Sequence, residues 1–146
     1  MAVEKIVVHP AAIAQVEEAA AYGALNYGFA WEAASKRNAP VRGGHRSFAP
    51  DGPVGGNLRR SIHTAVYLRG QRIAGGTDDN GNRVPDYEAS VAPVVLVVGT
   101  NSDYGLFVHN GTTRMAARPF IAEGLMETKG QAPALIEAGA RRHLGG

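Results

Sequence analysis

The chain has 146 residues, 45% hydrophobic, 19% charged and 7% aromatic, which is the composition of one globular domain spanning residues 1–146, not of two domains or a disordered tail. It contains no cysteine, so disulfides, thiolate zinc sites and cysteine nucleophiles are excluded, and a chain of this length buries enough surface to fold without them. No stretch approaches the ~20 apolar residues of a membrane span, and the apolar run before His9-Pro10 is too short for a signal-peptide core; a soluble cytoplasmic product is expected.

The net charge is +2, too small to point to nucleic acid by itself. Its distribution is uneven: Lys36 to Arg72 holds eight cations and one anion, Asp51, and the rest of the chain is acidic. Such asymmetry steers a polyanion or meets an acidic patch on a partner, and a solvated basic loop has the same composition.

Val3–Val8 is β-branched and reads as a short strand or lead-in, and Pro10 then presets the first turn of a helix. From Ala11 to about Lys36 there is no proline, and Ile13, Val16, Ala20, Leu25, Phe29 and Ala33 recur at three-to-four-residue steps, which predicts a long amphipathic helix. Gly23 and Gly28 are its weak points, while its small residues allow another backbone to come close. The apolar stripe fits either core packing or a contact between subunits. Asn38-Ala39-Pro40 ends the helix.

Residues 41–57 are rich in Gly, Pro and Arg, a loop longer than a compact domain needs. Leu58–Arg69 predicts a strand after a turn at Arg59-Arg60-Ser61, with Ile62, Thr64, Val66 and Leu68 on one face. Residues 75–86 form a polar hinge that is expected to be mobile in the monomer, in which Asp78–Asn82 has the composition of a hairpin turn. Ala89–Gly99 is too continuously apolar to have one wet face and is expected as the central strand. After a turn at Asn101-Ser102-Asp103, Pro119 marks entry to a C-terminal helix that Gly130 and Pro133 break near its middle.

Little in the chain points to catalysis or to a bound metal or cofactor. The five histidines, His9, His45, His63, His109 and His143, show no metal-ligand spacing. The calcium-loop pattern fails because Gly76 and Tyr87 fall where carboxylates are required. Phosphate-binding glycine motifs and a nucleophile elbow are absent from the sequence. Ser61, His63 and Asp51 assemble into a triad on paper only.

Two groups of segments carry a more specific signal. The first is Ala39-Pro40-Val41 with Gly56-Asn57-Leu58-Arg59-Arg60-Ser61-Ile62; the second is Tyr104–Thr112 after Val98-Gly99-Thr100, followed by Met115–Ile121 with its Ala117-Arg118-Pro119-Phe120 element. In this order they resemble the siphophage neck or tail-component family typified by gene product ten of phage HK-ninety-seven. Two departures are an inserted stretch before the Leu-Arg element and Asn110 at a position that is often acidic in the family.

The resemblance implies an α+β fold, with a long N-terminal helix and a C-terminal helix packed on a mainly antiparallel sheet of about four strands. It implies a structural virion protein, a neck subunit assembled in the host cytoplasm into a homo-oligomeric ring, with sixfold closure suiting the tail. Its partners would be other copies of itself, head-closure and tail-tube proteins, and the genome in the lumen. Pro40, Leu58, Ser61, Tyr104, Gly111, Thr112, Arg118, Pro119 and Phe120 are then framework residues. Arg42, Arg46, Arg59, Arg60, Arg69 and Arg72 are candidates for a subunit interface or DNA channel. Gly111 is expected to supply a positive φ, Pro119 a helix entry and Phe120 an anchor on the sheet. A tail-terminator ring protein, a DNA-binding module using residues 36–72, and a hydrolase built on Ser61 and His63 are the alternatives.

Overall fold

The computed structural model describes residues 10–40, 57–87, 92–114 and 116–145, and of residues 103 and 104 the backbone alone. The expected Val3–Val8 strand and residues 41–56, with Arg42, Arg46 and Asp51, lie outside the described residues, as do His9 and His45. The elements in order are α1 (Pro10–Asn38), α2 (Asn57–Ser61), β1 (Ile62–Leu68), β2 (Gln71–Ala74), β3 (Val94–Thr100), α3 (Asp103–Asn110), α4 (Phe120–Thr128), a short 3-10 turn (Lys129–Gln131) and α5 (Ala132–His143). The α+β class and the two terminal helices match the sequence reading.

Helix α1 is alanine-rich, which favours helix, and it lies between two layers, the sheet on one side and α4 and α5 on the other. Both layers approach where side chains are smallest. A Cβ added at Gly28 would lie 2.5 Å from Thr64 Cγ2, and one at Gly23 would collide with the Ile136 carbonyl oxygen. The helix therefore buries Ala19, Ala21, Gly23, Ala24, Tyr27, Gly28, Ala34 and Ser35. This corrects the expected apolar stripe as a core face: Ile13, Val16, Phe29 and Ala33 are exposed, and Ala20 and Leu25 only half-buried. Periodicity reveals where large apolar residues recur, but a helix covered from two sides takes its small residues inward.

The sheet has the order β2-β1-β3 with antiparallel neighbours. Strand β1 pairs with β3 from Ile62↔Thr100 to Leu68↔Val94. It joins β2 through Arg69 (φ 50°) and Gly70 (φ 82°), both in the left-handed region that two-residue hairpins of matching twist require. Two expectations are corrected here. The described residues hold three strands instead of about four, and residues 75–87 pair only through the Thr77↔Arg83 bridge. Among the described residues the central strand is β1, and β3 lies at an edge. Continuous apolarity signals two covered faces, not the order of strands.

Strand β1 is covered by α1 on one face, where Thr64 donates to the Gly28 carbonyl at 3.2 Å. On its other face lies the returning segment 75–87, whose Tyr87 meets His63 and whose Val84 is fully buried. The main apolar cluster joins Ala39, Leu58, Ile62, Val98, Val108 and Phe120 at the C-terminal end of α1. The C-terminal helix breaks as expected: the 3-10 turn separates α4 from α5, and Pro133 sits in the first turn of α5, where its missing N–H costs nothing. Helices α4 and α5 lie mainly on α1, with Phe120 the anchor that reaches the sheet. Among the described residues no helix is long and apolar enough to cross a membrane.

Candidate interaction surfaces

The described members of the basic segment are all engaged within the chain. Arg59 Nε donates to the Ala39 carbonyl at 3.3 Å, and Arg60 donates to Asn80 Oδ1 at 2.9 Å and to Asn57. Arg69 lies 2.5 Å from Glu17 as an ion pair without hydrogen-bond alignment. Arg72 donates to the Val84 and Pro85 carbonyls at 2.9 and 3.3 Å and pairs with Asp86 at 2.6 Å. Lys36 reaches Asp79 at 2.6 Å and Glu32 at 3.1 Å. Burial lowers its pKa, yet the bonds to these two carboxylates outweigh that and raise it. Arg59 and Arg60 precede β1 whereas Arg69 and Arg72 follow it, so the length of a seven-residue strand, about 23 Å, keeps the two pairs from forming one patch.

The motif residues build the framework around α3 and the start of α4. Leu58 and Phe120 are fully buried. The Ser61 hydroxyl donates to the Leu58 carbonyl at 2.6 Å and accepts from Thr100 Oγ1 at 2.6 Å. Thr100 Oγ1 in turn accepts from Ser102 N, and Ser102 caps α3 by accepting from Gly105 N at 3.3 Å. Gly111 ends α3 with φ 78° and its N–H on the Phe107 carbonyl at 2.7 Å; a Cβ there would lie 2.8 Å from Ala117 N. Thr112 Oγ1 accepts from Arg114 N, Arg118 N donates to the Val108 carbonyl, and Pro119 (φ −76°) precedes Phe120 at the α4 entry. Pro40 follows the buried Ala39, and Tyr104 lies in the first turn of α3.

His63 is buried with Nδ1 3.0 Å from the Ser61 carbonyl and Nε2 2.5 Å from Tyr87 Oη. A carbonyl only accepts, so Nδ1 carries the proton and Nε2 accepts from the tyrosine hydroxyl. The Ser61 hydroxyl points to Leu58 and Thr100 instead of to His63, so the serine–histidine contact of the hydrolase alternative is not formed. Nearby, Asp78 is buried and its carboxylate accepts from Asn80 N and Asn82 N at 2.9 Å and from Asn101 Nδ2 at 3.1 Å. The Asp-x-Asn spacing is the sequence signal for this turn; its burial against Asn101 is long-range and leaves no local trace. Among the described residues no group of three or more His, Asp or Glu is placed to hold a metal ion.

Large apolar side chains remain uncovered in distinct places. Ile13 and Val16 (64% exposed) lie on the first two turns of α1, where all residues from Pro10 to Val16 are exposed. Tyr22 and Phe29 flank a groove of about 410 Å³ between α1 and α5, along which Arg142 donates to Asn26 at 2.8 Å and His143 stacks on Tyr22. Leu106 (59% exposed) and Phe107 lie on α3, and Leu106 lines a groove of about 530 Å³ with Ile121 of α4, Pro85, Thr100, Asn101 and His109. The sequence leaves Ile13, Val16 and Phe29 open between core and subunit contact and does not single out Leu106 and Phe107, since nothing in the pattern tells a covered from an uncovered apolar residue.

No protein-family model matches the chain, and neither does a curated protein or a solved structure.

Proposed function

We propose that the chain is the subunit of a homo-oligomeric ring in the neck of a tailed bacteriophage, a connector between head-closure proteins and tail tube with the genome passing through its lumen. The role is structural. The observation that carries the reading is the pair of unlike apolar patches at opposite ends of α1. Ile13 and Val16 lie at its start, while Leu106 and Phe107 lie on α3, beside the cluster that packs Ala39. At 1.5 Å per residue Val16 and Ala39 are about 35 Å apart along the helix. Unlike patches at two ends favour a head-to-tail contact, and such contacts close into a ring when the rotation per subunit allows it.

The framework residues support the same reading. The segments that resemble the neck family are those that fix α3 and the start of α4, so the family likeness falls on the element that presents one of the two patches. Residues 36–72 carry the chain's excess of cations and are the segment that would meet DNA or an acidic neighbour, on separate surfaces and not as one patch.

Light scattering and electron microscopy of the purified chain, alone and mixed with head-closure and tail-tube proteins at low and high salt, test this reading. A closed ring, alone or with either partner, is the expected outcome and gives the copy number. A persistent monomer that ignores both partners yet binds DNA in a salt-dependent manner overturns it in favour of the DNA-binding module.

A further inference from the structure

We propose that Asn110 is a deamidation site: the Gly111 backbone nitrogen displaces ammonia from its side-chain amide, leaving aspartate or isoaspartate at the end of α3. At Asn80, where the same chemistry is available, the fold holds the reaction back. The inference is independent of the ring reading.

The chain has two Asn-Gly dipeptides, Asn80-Gly81 and Asn110-Gly111. Glycine sets no side chain between its own nitrogen and the preceding amide, and its wide conformational range lets the two meet. The nitrogen gives up its proton to water or hydroxide and bonds to the asparagine Cγ, and Nδ2 takes a proton from water and leaves as ammonia. Water then opens the cyclic imide. Cleavage of the new C–N bond yields aspartate, whereas cleavage of the original main-chain bond yields isoaspartate; nothing is oxidised or reduced.

Both asparagines are exposed, so water reaches both, and they differ in what holds them. Asn80 is clamped from both ends of its amide: Oδ1 accepts from Arg60 Nε at 2.9 Å, and Nδ2 donates to the Asn57 carbonyl at 3.0 Å. Gly81 N donates to the Asp78 carbonyl at 3.0 Å. Swinging Cγ onto Gly81 N breaks all three bonds. At Asn110 the amide oxygen meets the ring of its chain neighbour His109 at 3.2 Å, and among the described residues Nδ2, the leaving group, has no hydrogen-bond partner. The attacking nitrogen is released by opening one bond, Gly111 N to the Phe107 carbonyl. That bond closes the last turn of α3, where helices fray. The product carries its carboxylate at a helix C-terminus, where the macrodipole opposes negative charge. Asn110 also lines the groove beside Leu106, so the change puts charge on the edge of an exposed apolar patch.

The test follows the full chain by mass-spectrometric peptide mapping during incubation at mildly alkaline pH, reading at each asparagine the mass change of NH replaced by O. In the folded chain Asn110 should convert about tenfold faster than Asn80, because each extra bond that must break adds to the barrier. In urea the two rates should approach each other, since the dipeptide is the same. Arg60→Met, checked for folding by circular dichroism, removes the donor on Asn80 Oδ1 and should speed Asn80 several-fold while leaving Asn110 unchanged. Equal rates in the folded chain, or Asn80 ahead, overturn the proposal, and so does an Asn110 that stays intact until urea is added. A rate ratio that urea leaves unchanged assigns the difference to sequence neighbours instead of to the fold and overturns it too. An Asn80 rate that Arg60→Met does not move overturns the clamp.

Discussion

Tyr87 Oη lies 2.5 Å from His63 Nε2, and this bond pins the end of the 75–87 segment to the buried face of β1. Tyr87 N donates to Tyr67 Oη at 2.9 Å, so two side chains of β1 hold one residue of the covering segment. Burial is the main cause of a His63 pKa below its ordinary 6.5, opposed by the Ser61 carbonyl and the charges of Asp78 and Glu32 and assisted by Arg72.

A stability change with pH follows from this pair. The neutral imidazole is the form that the fold favours, so its contribution is complete above about pH 6.5, the unfolded value. It declines as pH falls from there toward the lower folded value, since over that window the unfolded chain binds more protons. Urea midpoints measured between pH 8 and 5 should fall across that window in the parent and change less in His63→Gln. Tyr87→Phe leaves Nε2 without its donor and should cost about 1–3 kcal/mol at neutral pH.

Asp78 holds the turn at the other end of the same segment. Asp78→Ala removes the acceptor for Asn80 N, Asn82 N and Asn101 Nδ2, and each charged hydrogen bond is worth about 1.5–3 kcal/mol. Chemical denaturation should show a loss of about 2 kcal/mol or more, and amide exchange should accelerate first at Asn80 and Asn82. Exchange that rises uniformly over the whole chain would contradict this local role.

Gly23→Ala separates helix propensity from packing. In an exposed helix the change gains about 1 kcal/mol, but here the new methyl meets the Ile136 carbonyl of α5. Overpacking against backbone costs about 1–3 kcal/mol, so the variant should melt below the parent. A higher melting temperature would mean that α5 yields easily.

Phe120 is fully buried among Leu58, Ile62, Val98 and Val108, with His109 edge-on at 5.5 Å between ring centroids. Phe120→Ala should cost about 3–5 kcal/mol, read from urea denaturation, and should loosen α3 and α4 together because both meet at this side chain.

The long helix, its end at Asn38, the broken C-terminal helix, the turn at Asp78–Asn82 and the positive φ of Gly111 are all legible in sequence, because each depends on residues within a few positions. Proline placement, alanine content, an Asp-x-Asn turn and glycine ahead of a crowded connection act locally. What the tertiary structure decided is which faces are covered. Ile13, Val16 and Phe29 look like core and are not, since α1 is approached from two sides and only small residues fit between the layers. Val94–Thr100 has the composition of a central strand and, among the described residues, takes an edge, because β1 pairs with β2 on one side and with β3 on the other. The arginines that composition groups into one basic segment are separated by the length of β1 and bonded to different neighbours. Burial and pairing of this kind depend on residues far apart in the chain, and no local pattern encodes them.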